Sequence, residues 1–119
     1  MKIGLTSYSM NNYICGGLMS VTEVMRFAKE KGAEHIELVP FGFTLHDDKT
    51  GEFNEPLIKE ILDTSKELDL PLSNYAVLGD LLKEDKDERR AEVERLKRPI
   101  DVAAKIGLKY MRHDIGKAI

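Results

Sequence analysis

Apolar residues recur at helical spacing in three stretches of this 119-residue chain, and a short apolar run follows each stretch. Val21, Val24, Met25, Phe27 and Ala28 share one face of a helix expected over Ser20–Lys31. Ser20 is its expected cap, Glu23 three positions on completes a capping box, and Gly32 suits the left-handed residue past the end. Leu57, Ile58, Ile61, Leu62 and Leu68 stripe a second helix over Glu55–Leu68, with Asn54 as cap and Pro56 in the first turn. A third helix is expected from about Lys83 to Ile106, with Val93, Leu96, Ile100, Ala103 and Ala104 as its stripe. Pro99 lies inside it and predicts a kink or a break. Lys2–Ser7, His35–Val39, Leu72–Val77 and Tyr110–His113 read as strands.

Helix end, turn residue and strand thus form a unit that occurs three times. Its turn positions are Gly32, Asp69 and Gly107, thirty-seven and thirty-eight residues apart. A βα unit of an eightfold barrel averages roughly 30 residues, so the spacing suits such units with longer loops. Strands alternating with helices imply a parallel sheet with right-handed crossovers. The expected fold is α/β: a single domain over residues 1–119 made of parallel βα repeats, about four strands and three helices. Such repeats form the first half of a (β/α)₈ TIM barrel or, alternatively, an open parallel sheet.

Composition narrows the function classes. Lys and Arg number 18 against 21 Asp and Glu, a net charge of −3, so no global field attracts a phosphate backbone and nucleic acid is a poor partner. No apolar run approaches the roughly 20 residues of a membrane span, and the first strand is too short for a secretory signal. Cys15 is the single cysteine and cannot form an internal disulfide, which with the other two points makes the cytoplasm the expected location. The run Lys83–Arg90 alternates in sign, and with Glu92, Glu94, Arg95, Lys97 and Arg98 it reads as a solvated helix face.

Ligands of parallel α/β folds gather at the carboxyl ends of strands, where this chain places Ser7, Tyr8, Glu37, Asn74, Tyr75, Arg112, His113 and Asp114. Glu37 is a carboxylate inside a short strand, costly to bury without a partner. It can serve as an acid/base or hydroxyl acceptor, or as a structural carboxylate paired with an Arg or Lys. His113 can bind a metal, shuttle a proton or hydrogen-bond a hydroxyl. Strand alternation puts Arg112 and Asp114 on one face and His113 on the other. His35 stands at the far end of its strand, His46 lies with Asp47 and Asp48 in a polar loop, and Cys15 before Gly16-Gly17 has no assigned base. No phosphate-loop, zinc-protease or serine-hydrolase motif is present.

The segments Lys2-Ile-Gly-Leu-Thr-Ser-Tyr8, Ala28-Lys-Glu-Lys-Gly-Ala-Glu-His-Ile-Glu-Leu38 and Ala104-Lys-Ile-Gly-Leu-Lys-Tyr-Met-Arg-His-Asp114 carry a resemblance. Together they resemble the amino-terminal half of sugar phosphate isomerase/epimerases of the xylose-isomerase-like TIM-barrel superfamily, the AP endonuclease family 2. The resemblance implies a barrel that binds a divalent metal (Mn, Mg, Co or Zn), which polarises a sugar carbonyl while acid/base residues move a proton. By position it implies Glu37 as the catalytic residue and Tyr8, Asn74 and His113 as substrate contacts. In the related endonuclease IV branch a histidine after the fourth strand is a metal ligand, and His113 is placed similarly. Ser73-Asn74-Tyr75 stands where that branch has another histidine, which argues against a multinuclear zinc site and DNA repair.

In this family the metal ligands come mainly from the second half of the barrel. The chain is therefore expected to be a truncated half barrel that holds no metal strongly and is inactive alone. Its expected partners are a small sugar or sugar phosphate and a second copy, paired through exposed sheet edges. The alternative is a non-catalytic self-associating half barrel or a small α/β binding domain. A receiver-like module would want acidic residues at the end of the first strand, where Thr6-Ser7-Tyr8 stands.

Overall fold

The computed structural model describes residues 1–116. All three repeat turns fall where the backbone is left-handed, with φ of 92° at Gly32, 47° at Asp69 and 83° at Gly107. Each turn ends a helix and aims the chain back along the sheet. The strands are β1 (Gly4–Thr6), β2 (His35–Leu38), β3 (Leu72–Val77) and β4 (Met111–His113). The helices are α1 (Asn11–Cys15), α2 (Val21–Glu30), α3 (Glu55–Glu67) and α4 (Lys86–Ile106).

The strands lie side by side in chain order, each parallel to the next. Successive crossovers therefore step in one direction, which places α2, α3 and α4 on the same face, whereas a doubly wound sheet reverses its order. Packing shows this layering directly. Val24 and Met25 of α2, Ile58 and Ile61 of α3, and Leu96 and Val102 of α4 share one core with Ile36, Leu38, Tyr75 and Val77 of the sheet. This is the strand order and layering of the first half of a (β/α)₈ barrel.

The predicted caps hold the helices in place. Ser20 accepts from the Glu23 amide while the Glu23 carboxylate accepts from the Ser20 amide, the capping box read from the sequence. The Asn54 side chain accepts from the Leu57 amide at the start of α3. Asp85 caps α4, so that helix begins at Lys86, three residues after the expected start.

Three expectations need correction. The stretch after β1, read as the last strand residue followed by loop, is helical: a 3₁₀ turn over Ser7–Met10 leads straight into α1. Ser7 explains the early turn, because its hydroxyl accepts from the Val39 amide and donates to the Val39 carbonyl, tying the ends of β1 and β2 together in a buried position. Pro99 neither ends nor interrupts α4, which runs through it. Its missing N–H frees the Arg95 carbonyl, and burial of Leu96, Pro99, Val102 and Ala103 holds the helix together across the gap.

The buried stripe of α4 is also rotated from the expected one. Glu92, Leu96, Pro99, Val102 and Ala103 face inward, while Val93 is 45% exposed and Ile100 55%. Leu62 of α3 likewise reaches solvent. A count of aliphatic side chains favoured Val93 and Ile100 over a glutamate and a proline, but Glu92 is buried with its charge met. Among the described residues, no helix is long and apolar enough to cross a membrane.

Candidate functional site

The sheet has two chemically opposite faces. Ile36 and Leu38 of β2 point to the helices, so the residues between and beside them, His35 and Glu37, point to the other face. On that inner face Thr6 stands in register with Glu37, and Ala76 with Arg112.

A slip in register between β2 and β3 builds the centre of the site. Ile36 pairs with Leu72 but Glu37 pairs with Asn74, leaving Ser73 as an extra residue. Such an irregularity lets two consecutive side chains share a face, re-aiming one of them. Ser73 Oγ lies 3.1 Å from His35 Nδ1, and Asn74 Nδ2 donates to Glu37 Oε2 at 2.7 Å. On the other side the Thr6 hydroxyl donates to Glu37 Oε1 at 2.9 Å. Both carboxylate oxygens are thus held, half-buried, by neutral donors from the two flanking strands.

Above this group, at the carboxyl end of the sheet, lies a cleft of about 290 Å³ lined by Thr6, Tyr8, Glu37, Phe41, Arg112 and Asp114, among others. Tyr8 meets the Phe41 ring edge-on, with centroids 5.2 Å apart and planes at 70°. Arg112 Nη1 lies 3.5 Å from Asp114 Oδ1. The cleft combines an aromatic wall, a positioned carboxylate and a cation.

Of the residues singled out from the sequence, Tyr8 and Glu37 line this cleft and Asn74 braces Glu37 from beside it. The structure does not bring His113 to them. It pairs in register with Val77, alternates with Arg112 and Asp114, is exposed, and has its Nδ1 3.1 Å from the Asp114 carbonyl oxygen. Sequence reasoning left out of the site Thr6, which the parallel register opposite Glu37 makes a neighbour, and Arg112, which strand alternation had already placed on the same face as Asp114.

The remaining candidates sit elsewhere. His35 is at the amino-terminal end of the inner face, packed so closely against Gly4 that a Cβ there would have no room. Cys15 is exposed at the end of α1. The His46 loop is ordered: Asp47 Oδ1 accepts from the Lys49 and Thr50 amides, and those bonds hold its carboxyl below the usual range.

A second carboxylate, Glu92, is bound quite differently. It accepts from Arg95 Nε at 2.8 Å and Nη2 at 2.7 Å, and from the Asp80 amide at 2.9 Å. Arg95 also donates to the Leu78 carbonyl. The hydrogen bond from Arg95 does most to hold the Glu92 carboxyl down to about 2, against the opposing effect of burial. The pair ties α4 to the loop after β3.

The fold matches the crystal structure of 3-keto-D-glucoside 4-epimerase, YcjR, from E. coli in its apo form. The TM-score is 0.58 at 20% sequence identity, over 93% of this chain and 36% of that one. At that identity the likeness shows the fold, a parallel βα arc like that of a TIM-barrel-like epimerase. The chain spans about a third of the length of the epimerase it matches. No family model and no curated protein matches the chain.

Proposed function

We propose that this chain forms the amino-terminal half of the mouth of a sugar or sugar-phosphate isomerase or epimerase. One observation carries the reading: Glu37 projects into a cleft at the carboxyl end of the sheet with both oxygens oriented by Thr6 and Asn74. Neutral donors fix the direction of a carboxylate without cancelling its charge as an arginine would. A carboxylate so placed can accept a proton from the carbon beside a sugar carbonyl, or hold a sugar hydroxyl. Tyr8 and Phe41 offer aromatic surface to a sugar ring, and Arg112 offers a cation to a carbonyl oxygen or a phosphate. Asn74 then acts through Glu37, and His113 falls outside the cleft.

The family resemblance also implies a divalent metal. Among the described residues, no three His, Cys, Asp or Glu side chains gather as a group that could hold one. The two carboxylates of the cleft are already engaged, Glu37 with Thr6 and Asn74 and Asp114 with Arg112. This donor set does not fit a metal by itself, so the role proposed for Glu37 rests on proton transfer or hydroxyl binding alone. In this reading further strands complete the site, and the 119-residue chain does not turn over substrate.

The test is a titration of the purified chain with neutral and phosphorylated ketoses, followed by amide chemical shifts, beside turnover assays with Mn²⁺, Mg²⁺ and Co²⁺. Shifts should cluster at Thr6, Tyr8, Glu37 and Arg112 and should shrink in Glu37→Gln. Shifts confined to other surfaces would overturn the site, and turnover by this chain would overturn the need for further strands.

A non-catalytic reading has its own supporting observation. β1 and β4 each pair on one side only, and Ile3 and Tyr110 beside them are 65% and 70% exposed. Open parallel edges with apolar flanks favour self-association. Light scattering should show a dimer or larger species at micromolar concentration, and a clean monomer would reject it.

A further inference from the structure

A second cavity lies on the opposite side of the sheet from the cleft, between the loop after β2, the end of β3 and the middle of α4. Its volume is about 190 Å³. Phe43, Leu45, Val77 and Pro99 give it apolar walls, and His46, Tyr75 and Arg95 also line it. The loop is built to present His46. An antiparallel bridge joins His46 to Phe53, the Asp47 amide donates to the Glu52 carbonyl, and the Asn54 side chain donates to the Thr44 carbonyl.

His46 is the anomaly. Its side chain is 9% exposed, yet both ring nitrogens are buried without a hydrogen-bond partner. Nε2 comes within 3.1 Å of Asp48 Oδ1 but makes no aligned hydrogen bond there. A buried imidazole with neither nitrogen satisfied is costly, and such groups in native structures call for a bound molecule. Tyr75 is buried beside it, and desolvation pushes its hydroxyl up to about 12, so it stays protonated and able to donate.

We propose that this cavity binds a small neutral ring bearing one hydroxyl or carbonyl oxygen, of phenol size, through His46 and Tyr75. Size supports it, because a dry cavity of about 150 Å³ accepts benzene and one oxygen more needs little extra room. Charge supports neutrality. The Arg95 guanidinium is already matched by Glu92, and Asp48 at the rim adds a negative charge that repels an anion. Hydrogen-bonding capacity supports a single oxygen, since a phenol hydroxyl can donate to an imidazole nitrogen while accepting from Tyr75. A sugar with five hydroxyls would leave most of them against Phe43, Leu45 and Val77. The inference is independent of the reading given to Glu37.

Calorimetry and amide chemical shifts of the intact chain titrated with phenol, benzene and benzoate test this. Phenol should bind with Kd of about 1 mM, typical of seven well-buried heavy atoms, with shifts at residues 43–48 and 75. Tyr75→Phe removes one oxygen and keeps the ring; it and His46→Phe should each weaken phenol about three- to tenfold. Benzene should still bind Tyr75→Phe, which establishes that the cavity survives the substitution. No saturable binding of phenol at tens of millimolar would overturn the proposal in favour of a site that holds water. Phenol affinity unchanged in both variants, or benzoate binding more tightly than phenol, would overturn it as well.

Discussion

Glu37 and Glu92 are both withdrawn from bulk water, and the chain treats them in opposite ways. Glu92 meets an arginine through two nitrogens and a backbone amide, so its charge is cancelled where it stands. Glu37 meets a threonine hydroxyl and an asparagine amide, which orient it and leave its charge uncancelled beside an open cleft. The first arrangement secures a helix to a loop. The second sets up a carboxylate for chemistry or recognition, and the difference lies in the partners, not in the residue type.

Removing Glu92 should have the largest effect. Glu92→Ala leaves Arg95 half-buried without its counter-ion and should destabilise the fold by about 3 kcal/mol in urea unfolding. The pH dependence has a definite sign. The folded carboxyl titrates near 2, below its unfolded value, so its stabilisation is fully present above about pH 5 and is lost as pH falls through about 2. Acid unfolding should show this loss in the parent chain and lack it in Glu92→Gln. An identical acid profile in both would break the contrast.

At Glu37 the expected effect on stability is smaller. Glu37→Gln keeps an acceptor for Thr6 or Asn74 and should cost about 1 kcal/mol or less, while abolishing sugar-induced shifts in the cleft. A loss as large as that of Glu92→Ala would mean that Glu37 is structural too. Asn74→Ala sharpens the same point: it should leave stability within about 1.5 kcal/mol and reduce sugar binding through a misoriented Glu37.

The smallest effect belongs to Asp69, the one non-glycine residue with positive φ among those described. Asp69→Gly should raise stability by a few tenths of a kcal/mol, up to about 1, because glycine adopts that backbone without strain. Thermal unfolding of the variant against Gly107→Ala, which should lose about 1 kcal/mol or more, would show whether the three repeat turns are equivalent.

Much of the fold was legible because its signals are local. A capping box needs four consecutive residues, and the Ser20 to Glu23 box forms as read. The left-handed turns at 32, 69 and 107 follow from side-chain sterics within one residue, and their spacing repeats. The inward stripe of α2 also matched, since the aliphatic positions there have no polar competitor. On α4 the stripe misled, because burial of Glu92 depends on Arg95 and on an amide twelve residues upstream, and burial of Pro99 depends on the sheet beneath it.

The candidate site was legible only in part. Glu37 stood out as a carboxylate within a strand, and Tyr8 as a polar residue at a strand end. That Asn74 rather than Ser73 reaches Glu37 depends on the slip between β2 and β3, which nothing in either strand's own sequence reveals. The unpaired His46 depends on a loop folding back over β3 and α4.

The sequence by itself determined the order of helices and strands, their caps and turns, and which residues alternate to each side of a strand, because those depend on neighbours within a few positions. The tertiary structure alone decided which carboxylate is neutralised and which is left facing a cleft. Register and partner choice arise between segments thirty or more residues apart, and there the energy of a charge is set by what the fold places beside it.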